Sequence, residues 1–267
     1  MRIFDPHIHM YSRVTDDYDA MVLAGIRACV EPAFWLGQPR THVGTFIDYF
    51  DSILEFECQR AANHGMDHYA TIALNPKEAN DPRVAEGAIE AMPKYLQHPR
   101  CVAVGEIGFD LISPAEDKAF IAQVELAKKY KLPVMVHTPH RDKRRGTERT
   151  MELMKDLKFP PENCIIDHST EETTKMILDA GFWAGHTVYP KTKLSPERFA
   201  NIVDEYGSER ILVNSSADWG ASDVLSVPKC VLELRKRGYK EDIIEKIVWK
   251  NPVAFYEKSG KLKIKEN

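Results

Sequence analysis

His7 and His9 stand two apart in the run Asp5-Pro6-His7-Ile8-His9. Residues two apart on an extended strand share a face, so both imidazoles enter the same space. Comparable side chains end other β-rich runs. Glu106 lies in Gly105-Glu106-Ile107-Gly108, His137 follows Met135-Val136, His168 follows Ile166-Asp167, and His186 follows Gly185. A further run leads through Asn214-Ser215-Ser216-Ala217 to Asp218. Half of the ten histidines therefore fall at the ends of expected strands, which scattered surface histidines would not do. Taken singly, each has a plainer reading: a hydrogen-bonded core imidazole, or an ion pair for Glu106. Taken together, His7, His9, Glu106, His137, His168 and Asp218 make a set of nitrogen and oxygen donors. Such a set suits zinc, manganese or iron better than calcium.

Positioning these side chains takes a regular scaffold. Short β-rich runs alternate with longer amphipathic ones, the pattern of βα units on a parallel sheet. The expected strands are Ile3–His9, Ala28–Glu31, His68–Leu74, Cys101–Ile107, Pro133–His137, Cys164–His168, Trp183–Val188 and Ile211–Asn214. Eight strands favour a closed (β/α)8 TIM barrel, whose chemistry sits at the C-terminal strand ends. No GxGxxG follows the first strand, which argues against a dinucleotide-binding sheet. Between the strands, Gly44–His64 carries aromatic and aliphatic residues at helical spacing. Ser113-Pro114-Ala115-Glu116 is a capping box opening a helix to Tyr130, and Ser195-Pro196-Glu197 opens one to Tyr206. Glu241–Tyr256 reads as a closing helix, broken near Asn251-Pro252. With no linker or repeat, residues 1–267 are expected to form one barrel domain with its metal site at the C-terminal mouth.

The chain of 267 residues is 43% hydrophobic and 28% charged, a globular composition. No apolar run approaches the roughly 20 residues of a membrane span, and no secretory h-region is visible. The five cysteines are scattered without a CxxC pair, which argues against a disulfide framework or thiolate zinc site. A cytoplasmic setting is expected. The net charge of −4 disfavours a general nucleic-acid coat. One basic loop, His140 to Arg145, leaves the fifth strand. His140 and Arg141 are placed to clamp a phosphate or carboxylate, while Lys143 to Arg145 fit either a clamp or solvated charge. His186 is a further candidate for substrate contact.

Asp5-Pro6-His7-Ile8-His9, Gly105-Glu106-Ile107-Gly108-Phe109-Asp110, Leu132-Pro133-Val134-Met135-Val136-His137, His168 and the terminal Asn251-Pro252-Val253-Ala254-Phe255 resemble the TatD family of the amidohydrolase superfamily. By that resemblance His7 and His9 hold a first divalent metal, Glu106 bridges to a second, and His137 and His168 complete the second site. An aspartate after strand eight would bind the first metal and handle the proton of the attacking water. The family's Thr-Asp-Ser/Ala-Pro run is replaced here by Asn214-Ser215-Ser216-Ala217-Asp218, which puts Ser216 at the aspartate's position. Serine is a poor ligand and base, and a shift of two residues keeps inward parity, so Asp218 is assigned the role. The run after His137 also departs from the family's Ser-Arg-Asp-Ala pattern. The chain thus resembles a TatD-like branch rather than the nucleases themselves.

The implied chemistry is a metal-dependent hydrolase, binuclear, with two divalent ions (Zn, Mn, Mg or Fe) and a metal-bound hydroxide. Asp218 and Glu106 are the expected catalytic carboxylates. The first reading of the substrate is a phosphoester: a nucleotide, a sugar phosphate or a DNA end. The same site also serves hydrolysis of an amide, lactone or carboxylic ester. A third reading is a non-catalytic module binding a metal and a small ligand.

Overall fold

A computed structural model describes residues 1–264. Its eight strands are β1 (Ile3–Asp5), β2 (Ile26–Pro32), β3 (Asp67–Ile72), β4 (Cys101–Gly108), β5 (Val134–His137), β6 (Cys164–Asp167), β7 (Trp183–Thr187) and β8 (Ile211–Asn214). They pair in sequence order, each parallel to the next. Just beyond the strands, Ser216 N–H donates to His7 O (2.7 Å) and His9 N–H to Ala217 O (2.9 Å). These two bonds draw the edges together into a (β/α)8 barrel.

The strands are buried on both faces, as helix-covered parallel strands must be, so β4 is enclosed along its whole length. Inward-facing Phe4, Val30, Tyr69, Ala103, Met135, Ile165, Trp183 and Leu212 fill the barrel. Trp249, Phe255 and Tyr256 plug its N-terminal end, and Tyr256 Oη donates to Pro6 O (2.8 Å). Outward-facing residues such as Val104, Val136 and Ile166 pack against the helices.

Local chemistry explains where the helices begin. Ser113 Oγ accepts from Glu116 N, Glu116 returns a carboxylate to Ser113 N, and Pro114 needs no partner for an N–H it lacks. Ser195 Oγ likewise accepts from Arg198 N at the start of the helix Pro196–Tyr206. The segment expected as a helix over 44–64 is helical from Val43 to Asn63, with a π-turn at Ser52–Phe56. The segment 241–256 stays helical where a break near Pro252 was expected. A π-turn over Lys246–Lys250 widens the backbone just ahead of the proline ring, which would otherwise press on the preceding turn.

The first strand stops at Asp5 rather than running to His9. Ile8 N–H still donates to Val30 O (3.0 Å), so His7 and His9 ride an extended segment held between β2 and the chain leaving β8. No helix among the described residues is long and apolar enough to cross a membrane.

Candidate metal centre and its pocket

Five of the expected ligands converge at the C-terminal mouth. His7 Nε2 and His9 Nε2 are 3.0 Å apart. Glu106 Oε1 lies 3.1 Å from His137 Nδ1, 3.1 Å from His168 Nε2 and 3.8 Å from His7 Nε2. Two donors each about 2.1 Å from one divalent ion, at angles near 90–109°, stand roughly 3.0–3.4 Å apart. The spacing of the imidazole and carboxylate atoms fits that requirement, as does their chemistry. Burial alone would push the Glu106 carboxyl up, but the imidazoles of His7, His137 and His168 outweigh it and hold the group well below the usual range. Burial also drives the His9 and His168 pKa values well below normal, keeping the rings neutral as ligation requires. His9 stacks on Phe34, with ring centroids 3.9 Å apart, and its Nδ1 is buried without a hydrogen-bond partner.

A carboxylate that sequence reading did not assign completes the cluster. Asp167 is fully buried, and its Oδ2 lies 2.5 Å from His7 Nδ1. His7, Glu106, Asp167 and His168 bring one donor atom each within 4.8 Å of one another. Inward parity was the available signal: Ile165 fills the barrel interior, so Asp167 points the same way. His168 reaches the same space because the chain turns there with φ 59°.

Asp167 anchors a directional chain of hydrogen bonds. Its Oδ1 accepts from Asn214 Nδ2 (2.9 Å), Asn214 Oδ1 accepts from Thr187 Oγ1 (2.8 Å), and Thr187 Oγ1 lies 2.6 Å from His168 Nδ1. The hydroxyl spends its proton on Asn214 and must accept from His168 Nδ1–H. His7 Nδ1–H must likewise donate to Asp167. With a metal bound, both Nε2 atoms would then offer it their lone pairs on the side of Glu106. The cradle is tight: a Cβ on Gly185 would come 2.3 Å from Asp167 Oδ1.

Asp218 lies apart from this cluster but lines the same pocket, of about 380 Å³, with Glu106, His137, His168 and Ser216. It is half-buried. Its Oδ1 accepts from Tyr189 Oη (2.7 Å) and Gly220 N (2.8 Å), leaving Oδ2 without a hydrogen bond among the described residues. Ser216 sits deeper, with φ 43° and its N–H on His7 O. Phe34 and Trp35 form an aromatic wall, with Lys77 Nζ 4.4 Å from the Trp35 ring centroid.

The basic loop divides. His140 lines the pocket, whereas Arg141 is exposed and is absent from its wall. His186 does not reach the mouth, contrary to expectation. Trp183 fills the barrel interior and Gly185 lies against Asp167, so the alternation of β7 turns His186 outward to the helices. There its Nδ1 bonds Leu212 O (3.1 Å), its Nε2 bonds Thr174 Oγ1 (2.9 Å), and its ring meets Phe199. Burial lowers its pKa to about 4, as befits a neutral core imidazole. Lys193, which no motif singled out, enters the mouth from the loop after β7. Its Nζ lies 3.0 Å from His168 Nδ1 and 3.4 Å from Nε2.

A (β/α)8 barrel with buried imidazoles and carboxylates clustered at its mouth defines a metal-dependent hydrolase. The chain belongs to the TatD-related DNase family, whose model matches residues 4–257. A protein of Methanocaldococcus jannaschii described as an uncharacterized metal-dependent hydrolase is 28% identical over 259 residues, covering 95% of this chain and 99% of its own. The 3'-5' ssDNA/RNA exonuclease TatD of Klebsiella pneumoniae is 26% identical over 172 residues, 61% of this chain and 62% of its own. Among solved structures, the TatD-like protein of Archaeoglobus fulgidus superposes with a TM-score of 0.77 at 27% identity, covering 95% of this chain and 99% of that one.

Proposed function

We propose that this chain hydrolyses a phosphoester of nucleotide type, a nucleotide or a nucleic-acid end, with two divalent metals at the mouth. The observation carrying this reading is the composition of one pocket. Glu106, His137, His168 and Asp218 share its lining with Phe34, Trp35, Lys77 and Lys193. Its donors suit a divalent metal, its lysines suit an anion, and its aromatic wall suits a planar base.

In this reading His7 and His9 would hold one ion and His137 and His168 the other, with Glu106 a shared carboxylate ligand. Divalent ions held there would supply Lewis acidity and lower the pKa of a bound water toward neutrality. Glu106 stays ionised among three imidazoles and balances positive charge at the floor. Asp218, with Oδ1 fixed by Tyr189 and Gly220, orients the attacking water and takes its proton at Oδ2, or binds a metal there. Lys193 offsets negative charge on the substrate, and Phe34 and Trp35 receive its base. A cytoplasmic setting suits the five unpaired cysteines, four of them buried. The Klebsiella relative's exonuclease name supports phosphoester chemistry.

The test is a panel of bis(p-nitrophenyl) phosphate, short single-stranded DNA, lactones and N-acyl amides with added manganese or zinc. Phosphoester turnover is expected, and Asp218→Asn should lower kcat by about 100-fold or more while metal content by elemental analysis largely persists. Turnover confined to lactones or amides would replace the phosphoester reading. Undiminished kcat in Asp218→Asn would remove that residue from the mechanism.

A further inference from the structure

Beside the metal centre lies a second cavity of about 140 Å³. His140, His168, Thr192 and Lys193 line both spaces, so the smaller one is a side chamber of the larger. Lys143 and Thr170 belong to the side chamber. Its volume resembles that of the ~150 Å³ cavities that accept a benzene-sized ligand. It admits one compact group and excludes a whole nucleotide.

Its charge is one-sided. The lining contains no carboxylate. Lys143 starts the helix Lys143–Asp156 after β5, and Lys193 lies in the loop after β7, so two separate elements bring ammonium groups to one chamber. Neither makes an ion pair among the described residues. The hydrogen bond of Lys143 Nζ goes to Thr138 Oγ1 (3.1 Å), and Lys193 Nζ stands against His168. Arg198, also on the wall, is already committed to Glu171 through two contacts of 2.9 and 2.7 Å. Burial, and then repulsion from Lys193, lowers the Lys143 pKa to about 8. Asp167 and Glu172 attract Lys143, and Glu106, Asp167 and Asp218 attract Lys193, but none of them lines the chamber. The two half-buried ammonium groups therefore face each other across it, and an oxyanion between them offsets their repulsion. Thr170 and Thr192 add hydroxyl donors of the kind that complete a phosphate site.

We infer that Lys143 and Lys193 form a subsite for a second, non-scissile phosphate group on the substrate. This rests on the phosphoester reading and narrows it. The preferred substrate carries a phosphate adjacent to the one cleaved, as a phosphate-terminated dinucleotide does. The same chamber binds free inorganic phosphate as its simplest ligand.

The experiment compares kcat/KM for a phosphate-terminated dinucleotide with that for bis(p-nitrophenyl) phosphate, which has only the scissile group. Lys143→Gln should lower the ratio of the two by ten- to a hundredfold, the loss of one hydrogen bond to a charged partner. Lys143→Arg should restore most of it. Arg144→Gln, whose side chain pairs with Glu148 on the exposed helix face, serves as the control and leaves the ratio unchanged. An equal loss on both substrates, or no loss, overturns the subsite. Calorimetric titration of inorganic phosphate into the purified full-length chain separates this failure from failure of the phosphoester reading. Without any phosphoester turnover, at least tenfold weaker phosphate binding in Lys143→Gln than in Arg144→Gln still supports the chamber. Equal binding in the two variants rejects it. Matching thermal melts confirm that each variant is folded.

Discussion

Replacing Asp167 with asparagine tests the hydrogen-bond chain behind the candidate metal ligands. Asp167 accepts twice, from His7 Nδ1 and from Asn214 Nδ2. Asparagine offers one acceptor and one NH2 group at those positions, so one partner must reverse. If His7 reverses, its Nδ1 accepts and its Nε2 carries the proton. If Asn214 reverses, its NH2 turns to Thr187, the hydroxyl donates to His168 Nδ1, and His168 Nε2 carries the proton. Either way one imidazole loses the lone pair that it would offer a metal. The loss of such an orienting partner costs about 10- to 100-fold in metal affinity, or roughly 1.4–2.8 kcal/mol. The loss of a buried negative charge beside His7 pushes in the same direction. Chelator competition with zinc or manganese, on wild type and Asp167→Asn with matching circular dichroism, measures the effect. An affinity within threefold of wild type in a folded variant would refute the argument that these bonds set the tautomers.

Gly185→Ala attacks the same carboxylate by sterics. Its Cβ would sit 2.3 Å from Asp167 Oδ1 and 3.0 Å from Cγ, so Asp167 must withdraw from His7. Metal affinity should fall as in Asp167→Asn, and the double variant should fall short of the sum of the two losses, a coupling that the same competition assay reads. Away from the mouth, buried His68 bridges Cys58 (3.3 Å) and Glu31 (2.8 Å). Burial lowers its pKa, but these partners outweigh it and raise the value to about 10. The protonated ring therefore contributes stability that is complete below pH ~6.5 and lost as pH rises through about 10. Tm should decline between pH 7 and 10.5, and His68→Asn should flatten that decline; parallel curves would contradict the assignment.

Much of the barrel was legible because its strands announce themselves as short apolar runs with turn signals between them. All eight appear, with ends shifted by a few residues. The convergence of His7, His9, Glu106, His137 and His168 was legible too, since side chains at parallel strand ends have one place to go. The misreadings follow from treating strand ends as equivalent. Alternation counted back from Trp183 turns His186 toward the helices, and counted from Ile165 it brings Asp167 inward. His168 defeats that count because its left-handed backbone redirects the chain. The lysines were harder to find. Within the basic loop only three-dimensional packing decides that Lys143 turns in while Arg141 stays exposed. Lys193 lies in a polar loop with no motif at all. Its importance comes from what β5, β6 and β7 bring beside it.

The plug at the barrel's other end ties assembly of the site to the whole length of the chain. Tyr256 Oη holds Pro6 O, one residue before the first metal-binding candidate, across a separation of 250 positions. Phe4 lies against both Trp249 and Tyr256. On a ribosome the residues that brace the His7–His9 segment from below and from β8 follow it only after more than 200 others. A nascent chain would therefore display its imidazoles long before it could fix their spacing. Acquisition of tightly held metal then becomes a late event, coupled to closure of the barrel.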